Sequence, residues 1–395
     1  MFYQRALRQR IEGLLEQFPA LLLTGARQTG KSSLLKEAFP EWKFVSLDLP
    51  SIAEEAEKRP DVFLARFPPP VVVDEIQYAP ALFRNLKDAI DKNRSRNGQF
   101  LLTGSQKFQL MESVSESLAG RCALLELHSL SARELEGGQS VDSSGWLEFL
   151  FRGGYPELAA NPLISAADYY RSYVSTYLER DVRNLLHVGS LRDFERFIRM
   201  AATRNAALLN VSELARDVGI ASSTARQWIS VVEASGVIQL VEPYFQNLGK
   251  RMVKTPKLYF LDTGLLCYLL GISSVASLLE SSLLGNVWEA FVCGQICREL
   301  QRKATATSLW FWRDAYGLEV DFLLDSGSHF ELIESKWTEH PGAGDCGAIR
   351  KLRPILSAQR PVRARIACRA SSRSFLSEDV EIVNGFLESD WIRDR

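Results

Sequence analysis

Over the first ~130 residues, short apolar runs alternate with amphipathic ones, the pattern of strands laid in parallel between helices. Runs at 21–24, 43–47, 71–74, 100–103 and 122–127 predict strands. Stretches at 3–17, 31–38, 51–58, 80–94 and 108–117 predict helices. Leu21–Leu22–Leu23 and Val71–Val72–Val73 have no polar alternation, so their strands are expected to be covered on both faces. Phe67–Pro68–Pro69–Pro70 is a stiff, extended lead-in to the third run. Residues 134–145, rich in Gly, Ser and Asp, mark a boundary. From 146 to 205 the pattern is helical, with Tyr169, Tyr170, Tyr173, Tyr177 and Leu178 at three-to-four spacing.

The segment 208–245 has a different signature. Asn210 or Ser212 caps a short helix that turns at Gly219, and Ser222–Ser223 opens a second one that runs through Trp228 and Val232 to Gly236. Val237–Val241 leaves as a strand, with Lys257–Leu261 as its returning arm. This order predicts a winged helix-turn-helix with Ser223, Thr224, Arg226 and Gln227 on its exposed face and Lys250, Arg251 and Lys254 on the wing. Such a module contacts DNA or packs against protein. An apolar helix at 284–299 and strands at 309–313, 317–324 and 330–336 complete the chain. The predicted organisation is an α/β parallel-sheet domain over 1–135, a helical linker or lid over 146–205, the winged helix over 206–262 and a C-terminal α/β domain over 263–395.

The first strand runs straight into Gly25–Ala26–Arg27–Gln28–Thr29–Gly30–Lys31–Ser32, which is G-x-x-x-x-G-K-S, and Ser33 continues as a helix. Glycines at those positions let the backbone turn its N–H groups onto a phosphate chain. Lys31 can reach the β- and γ-phosphates, Ser32 can ligate Mg²⁺, and the helix dipole adds positive potential. The third run ends in Asp74–Glu75, carboxylates suited to holding Mg²⁺ and polarising water; the plainer reading is a cap on the helix near Pro80. The fourth run ends in Thr103–Gly104–Ser105–Gln106, with Ser105 and Gln106 as candidate γ-phosphate or water contacts. Arg121 is a candidate for neutralising transition-state charge, in cis or on a neighbouring subunit of a homo-oligomer, or else a surface arginine. Arg180 and Arg183 are alternatives carried by a lid.

Composition narrows the picture. The 395 residues are 46% hydrophobic and 24% charged with a net charge of −1, so the whole chain does not advertise nucleic acid. No apolar stretch reaches the length of a membrane span, and the N-terminus has no secretory pattern, so a cytoplasmic location is expected. The six cysteines lack metal-knuckle spacing and read as reduced core thiols.

A second constellation lies in the last third. Glu334 and Lys336 are two apart on one strand and share a face. Asp321 on the neighbouring strand and Glu289 on the helix complete a carboxylate set for a second Mg²⁺, with Lys336 as a nuclease-like lysine. The plainer reading is a solvated sheet face.

Together these residues resemble the prokaryotic ATPases that join an AAA-type P-loop domain to a C-terminal domain of unknown function numbered 4143. The resemblance covers nearly the whole chain. It is carried by the loop 25–32, Val73–Asp74–Glu75–Ile76–Gln77, Leu102–Thr103–Gly104–Ser105, Leu118–Ala119–Gly120–Arg121, Gly153–Gly154–Tyr155–Pro156, Tyr259–Phe260–Leu261–Asp262–Thr263–Gly264, Gly285–Asn286 with Trp288–Glu289, and Glu319–Val320–Asp321–Phe322. It implies ATP binding and hydrolysis with Mg²⁺, a winged helix and a restriction-endonuclease-like tail. Ser335 departs from the apolar residue commoner between the glutamate and the lysine. Two rival readings follow: an ATP-gated DNA nuclease using Asp321, Glu334 and Lys336, and a nucleotide-state switch that binds DNA or a protein partner.

Overall fold

The computed structural model describes residues 2–105, 110, 114, 116–137, 141–178, 191–244, 255–303, 305–314 and 316–393. They form two compact units, Phe2–Ser129 with Ala234–Gly236, and Leu130–Glu233 with Val237–Arg395.

In the first unit the order is α1 (Arg8–Leu15), β1 (Ala20–Thr24), α2 (Lys31–Ala38), β2 (Lys43–Ser46), α3 (Pro50–Lys58), α4 (Pro60–Arg66), β3 (Val71–Asp74), α5 (Leu82–Lys92), β4 (Phe100–Thr103) and β5 (Cys122–Glu126). The five strands are all parallel, in the order β2-β3-β4-β1-β5. This is the P-loop NTPase arrangement expected from the apolar runs. Alternate residues of β1 serve two cores: Leu21 and Leu23 pack with Ile11, Leu14 and Leu34 of α1 and α2, while Ala20 and Leu22 pack with Phe63, Leu86 and Ile90 of α4 and α5. With every strand running the same way, their C-terminal ends meet at one edge. Helix α1 starts at Arg8, five residues later than the pattern predicts. Helix α4 was not predicted; Pro60 sits in its first turn, where a missing N–H costs nothing, and Phe63 is fully buried. Of the predicted helix 108–117, only Leu110, Val114, Glu116 and Ser117 are described.

The second unit opens with the short helix Ala132–Glu136, capped by Ser131, and goes on to Ser143–Arg152, capped by Asp142, and Ala166–Tyr173, capped by Ser165. Leu191–Ala202 follows. Val211–Val218 is capped by the Asn210 side chain and stopped by Gly219 in the left-handed region, and Ser222–Ala234 comes next. Strands β6 (Ala207–Leu208), β7 (Ile238–Pro243), β8 (Lys257–Phe260), β9 (Ser308–Arg313), β10 (Glu319–Asp325), β11 (Phe330–Ser335), β12 (Val362–Cys368), β13 (Ser374–Ser377) and β14 (Val380–Asn384) join, among the described residues, in one mixed sheet of order β13-β14-β12-β11-β10-β9-β7-β8-β6. Strand β7 is antiparallel to β8 and parallel to β9, so the strand pair after the two helices is continuous with the tail's sheet. The 20-residue helix Leu284–Lys303 buries Trp288, Phe291 and Ile296 in the largest core. Arg180, Arg183, Lys250, Arg251 and Lys254 lie outside the described residues.

Two of the sequence motifs meet inside this unit. The Asp262 carboxylate caps the helix Thr263–Leu269 and accepts the Gly154 N–H at 2.9 Å and the Tyr170 hydroxyl at 2.9 Å. A Cβ on Gly264 would collide with the Arg152 carbonyl, and one on Gly153 with Asp262. Gly153 and Gly264 therefore let two backbones touch. The six cysteines are free thiols, five of them buried. Among the described residues, no helix is long and apolar enough to cross a membrane.

Candidate functional site

The loop 25–32 turns on three residues with positive φ, Gly25 at 140°, Gln28 at 61° and Gly30 at 90°, between the end of β1 and the first residue of α2. Gly25, at φ 140°, lies so close to the Leu127 carbonyl that any Cβ would overlap it. Lys31 is 5% exposed, and its ammonium donates to the Gly25 and Ala26 carbonyls at 2.9 Å each. Thr29 ties its hydroxyl back to Ala26 O at 2.9 Å. Ala26 is buried with it, Arg27 is half-buried, and Gln28 and Ser33 are exposed. Arg5, a residue the sequence reading passed over, is buried before α1 and donates to Thr29 O at 2.6 Å and His128 O at 2.7 Å. Nothing in its local pattern singles it out; only the folded loop supplies two carbonyls to it.

The tips of β3 and β4 complete the site. Ser32 donates its hydroxyl to Asp74 at 2.8 Å, and Thr103 donates to the same carboxylate at 2.5 Å while accepting the Glu75 N–H at 3.0 Å. Asp74 is thus committed to the loop and is no helix cap. Glu75 has φ 58°, a left-handed conformation that is costly for a side-chain-bearing residue. Its carboxylate is held by Gln77 and, at 3.3 Å, by the Ser105 hydroxyl. Gln106 lies outside the described residues. Asp48, two residues beyond β2, was also missed. Burial and the nearby charges of Glu75 and Asp74 push its carboxyl up, against the pull of Arg27. The signal was its place at the C-terminal edge of a parallel strand, where acids collect. Arg121 stands apart from this group: its guanidinium donates to both carboxylate oxygens of Asp91, at 2.7 and 3.0 Å. The set fits a nucleotide with a divalent ion. It offers one buried ammonium at the head of a helix, and a serine hydroxyl paired to a carboxylate as an oxygen ligand set for Mg²⁺.

In the second unit, Glu289 and Asp321 do come together, but with Glu319; ligand atoms of these three lie within 4.8 Å of one another. Glu319 stands where the spacing had placed Glu334. It was legible as the strand neighbour two before Asp321, on the same face. Glu334 pairs with Lys336 at 2.7 Å, as their shared strand face predicts, and lies near enough for the charges of Asp321 and Glu289 to act on it. Lys257, 1% exposed and unsuspected inside an apolar strand, puts its ammonium among the acids, 2.9 Å from Glu289, in contact with Glu319 and 3.9 Å from Asp321. Tyr259 donates to Glu289 at 2.6 Å, and the Ser335 N–H to Asp321 at 2.8 Å. Burial, with the charge of Asp321, raises Glu334 to about 8 and Glu289 to about 7.

Residues 17–136 match the AAA domain family, 143–276 a domain of unknown function (DUF8612) and 284–384 another (DUF4143). The chain is 32% identical over 378 residues to the uncharacterized protein Rv2008c of Mycobacterium tuberculosis and, equally, to Mb2031c of Mycobacterium bovis, covering 95% of this chain and 82% of each relative. The Walker-type ATPase of Pyrococcus abyssi is similar at 17% identity and TM-score 0.41, over 68% of this chain and 96% of that one. The RuvB Holliday junction branch migration motor of Thermotoga maritima is similar at 15% identity and TM-score 0.29, over 58% and 88%.

Proposed function

Because the chain belongs to the family of AAA-type ATPases with a C-terminal DUF4143 domain, we propose that it binds ATP with Mg²⁺ on the loop 25–32 and hydrolyses it. The observation that carries this reading is the hydrogen-bonded set Ser32–Asp74–Thr103, which joins a hydroxyl and a carboxylate 42 residues apart at the mouth of one parallel sheet. Ser32 and Asp74 would hold the ion, which supplies neutralising charge to the phosphates when bound. Lys31 exchanges two loop carbonyls for phosphate oxygens, and the backbone amides of the loop add their dipoles. Glu75, fixed by Gln77 and Ser105, takes the proton of the attacking water. Arg121 joins this chemistry only on release from Asp91.

Replacing Lys31 by Ala is expected to abolish tight ATP binding in calorimetry. Glu75→Gln should keep binding and lose at least about a hundredfold in turnover. Normal turnover by Glu75→Gln removes the assignment of that base.

The exposed face of the helix Ser222–Ala234 favours DNA as what the ATPase serves. Ser223, Arg226 and Gln227 are exposed there and Thr224 is half-buried, which fits the recognition helix of a winged helix. Turnover measured with and without duplex and single-stranded DNA tests this. Stimulation that Arg226→Ala weakens supports it, and indifference to both nucleic acids points to a switch acting on a protein partner.

A further inference from the structure

The resemblance to proteins with an endonuclease-like tail implies a divalent ion among the tail's acids, and Glu289, Glu319 and Asp321 have the proximity to hold one. The structure sets a lysine at that place. Lys257 rises from β8, whose backbone is paired on both sides by β6 and β7, so its Cα cannot swing away without breaking the sheet. Its ammonium touches Glu289 and Glu319 and faces Asp321. The fully buried rings of Phe311 and Tyr259 stand 5.7 and 5.8 Å from it. Aromatic faces at that range favour a compact ammonium, whereas Mg²⁺ keeps several waters and demands a near-octahedral oxygen shell. The Glu289 oxygen nearest the lysine also accepts the Tyr259 hydroxyl, so it is doubly engaged.

Charge balance agrees. Four carboxylates, Glu289, Glu319, Asp321 and Glu334, meet three cations: Lys257, Lys336 and Arg313, the last 2.9 Å from Glu319. Even with every carboxylate ionised, the cluster carries no more than one net negative charge. A divalent ion added beside Lys257 would overcompensate it in a buried place. Removing Lys257 leaves two negative charges, the deficit that one divalent ion cancels.

We propose that Lys257 is the resident cation of this site: its ammonium stands in for the divalent metal, so the tail of this chain binds no metal there and does not cut DNA by a metal-dependent route. The sequence expectation that Glu289, Asp321 and Glu334 form a second Mg²⁺ site, with Lys336 as its nuclease lysine, gives way under this reading to an ion-paired junction of β8, β10, β11 and the helix Leu284–Lys303.

The test uses the full chain without nucleotide, titrated with Mn²⁺ and read by electron paramagnetic resonance, which makes it independent of ATP turnover. Wild type and Asp321→Asn should give the same binding curve, since any weak binding at the loop 25–32 is common to both. Lys257→Met should gain one Mn²⁺ at least about tenfold tighter than any site of the wild type, lost again when Asp321→Asn is added. Lys257→Gln serves the same comparison if the Met variant does not fold. One Mn²⁺ on the wild type that Asp321→Asn removes overturns the proposal. So does a folded Lys257 variant, checked by circular dichroism, that gains none, and so does Mg²⁺-dependent plasmid nicking that Asp321→Asn abolishes.

Discussion

Arg5 shows how much a single side chain can carry without a motif. Its guanidinium braces the loop 25–32 by the carbonyls of Thr29 and His128. It touches neither Lys31 nor Ser32 in these bonds, so its part is to position the loop. Charge-assisted hydrogen bonds of this kind are worth about 1.5–3 kcal/mol. Arg5→Ala should therefore weaken ATP binding roughly tenfold to a hundredfold in calorimetry, with Arg5→Lys recovering part of it. The acids around Lys257 make a second prediction at this scale. Burial and Asp321 raise Glu334 to about 8 and Glu289 to about 7, from an ordinary 4.5. Between those values the folded chain holds protons that the unfolded chain has released. The stability these groups contribute is full below the ordinary value and lost as pH rises through about 7 to 8. Asp321, Lys257, Lys336 and the Tyr259 hydroxyl act on this pair, and Glu319 lies beside Glu289. The melting temperature should fall from about pH 6 to about pH 9, and the fall should be shallower in Glu334→Gln, which keeps an acceptor for Lys336. An equal slope in both proteins removes the assignment.

At one place two elements meet by close approach of their backbones. The turn at 153–154 and the start of the helix Thr263–Leu269 approach so closely that Asp262, Gly154 and Tyr170 form one hydrogen-bonded knot. Gly264→Ala would press a methyl into the Arg152 carbonyl, which cannot yield as a flexible side chain would. A cost of about 1–3 kcal/mol is expected, read as a lower melting temperature. Gly285→Ala is the control: nothing stands within 4 Å of its Cβ position, and the helix should lose no stability. Farther along, Arg365, 1% exposed, pairs with Glu331 at 2.6 Å and donates to the Trp391 carbonyl at 2.7 Å. That fastens the end of the described chain to β11 and β12.

At the scale of the whole molecule, two units with separate cores predict separate responses to ligand. ATP at about a hundred times its Kd should stabilise the unit containing residues 2–129 by about 2.7 kcal/mol. The second unit should gain nothing directly. Hydrogen exchange of β1 and β4 should slow with ATP in the wild type and stay unchanged in Lys31→Ala. Equal slowing of β11 and β12 would show that the units are coupled.

The parallel sheet was legible because a strand buried on both faces must be apolar throughout, and 21–24 and 71–74 are. The loop 25–32 was legible because phosphate binding needs glycines, a lysine and a serine at fixed spacing, and spacing survives in one dimension. Glu289 and Asp321 were found as acids, since apolar neighbours make a charge conspicuous. Glu319, two before Asp321, and Asp48, just past a strand, each left a local signal; tertiary structure alone decided that Arg121 turns to Asp91 and above all that Lys257 reaches into the acid cluster. The physical reason is common to these cases. Local pattern reports which face of an element is buried, but a buried charge is tolerated only by partners from other elements. Those partners are set by how strands far apart in the chain are brought side by side.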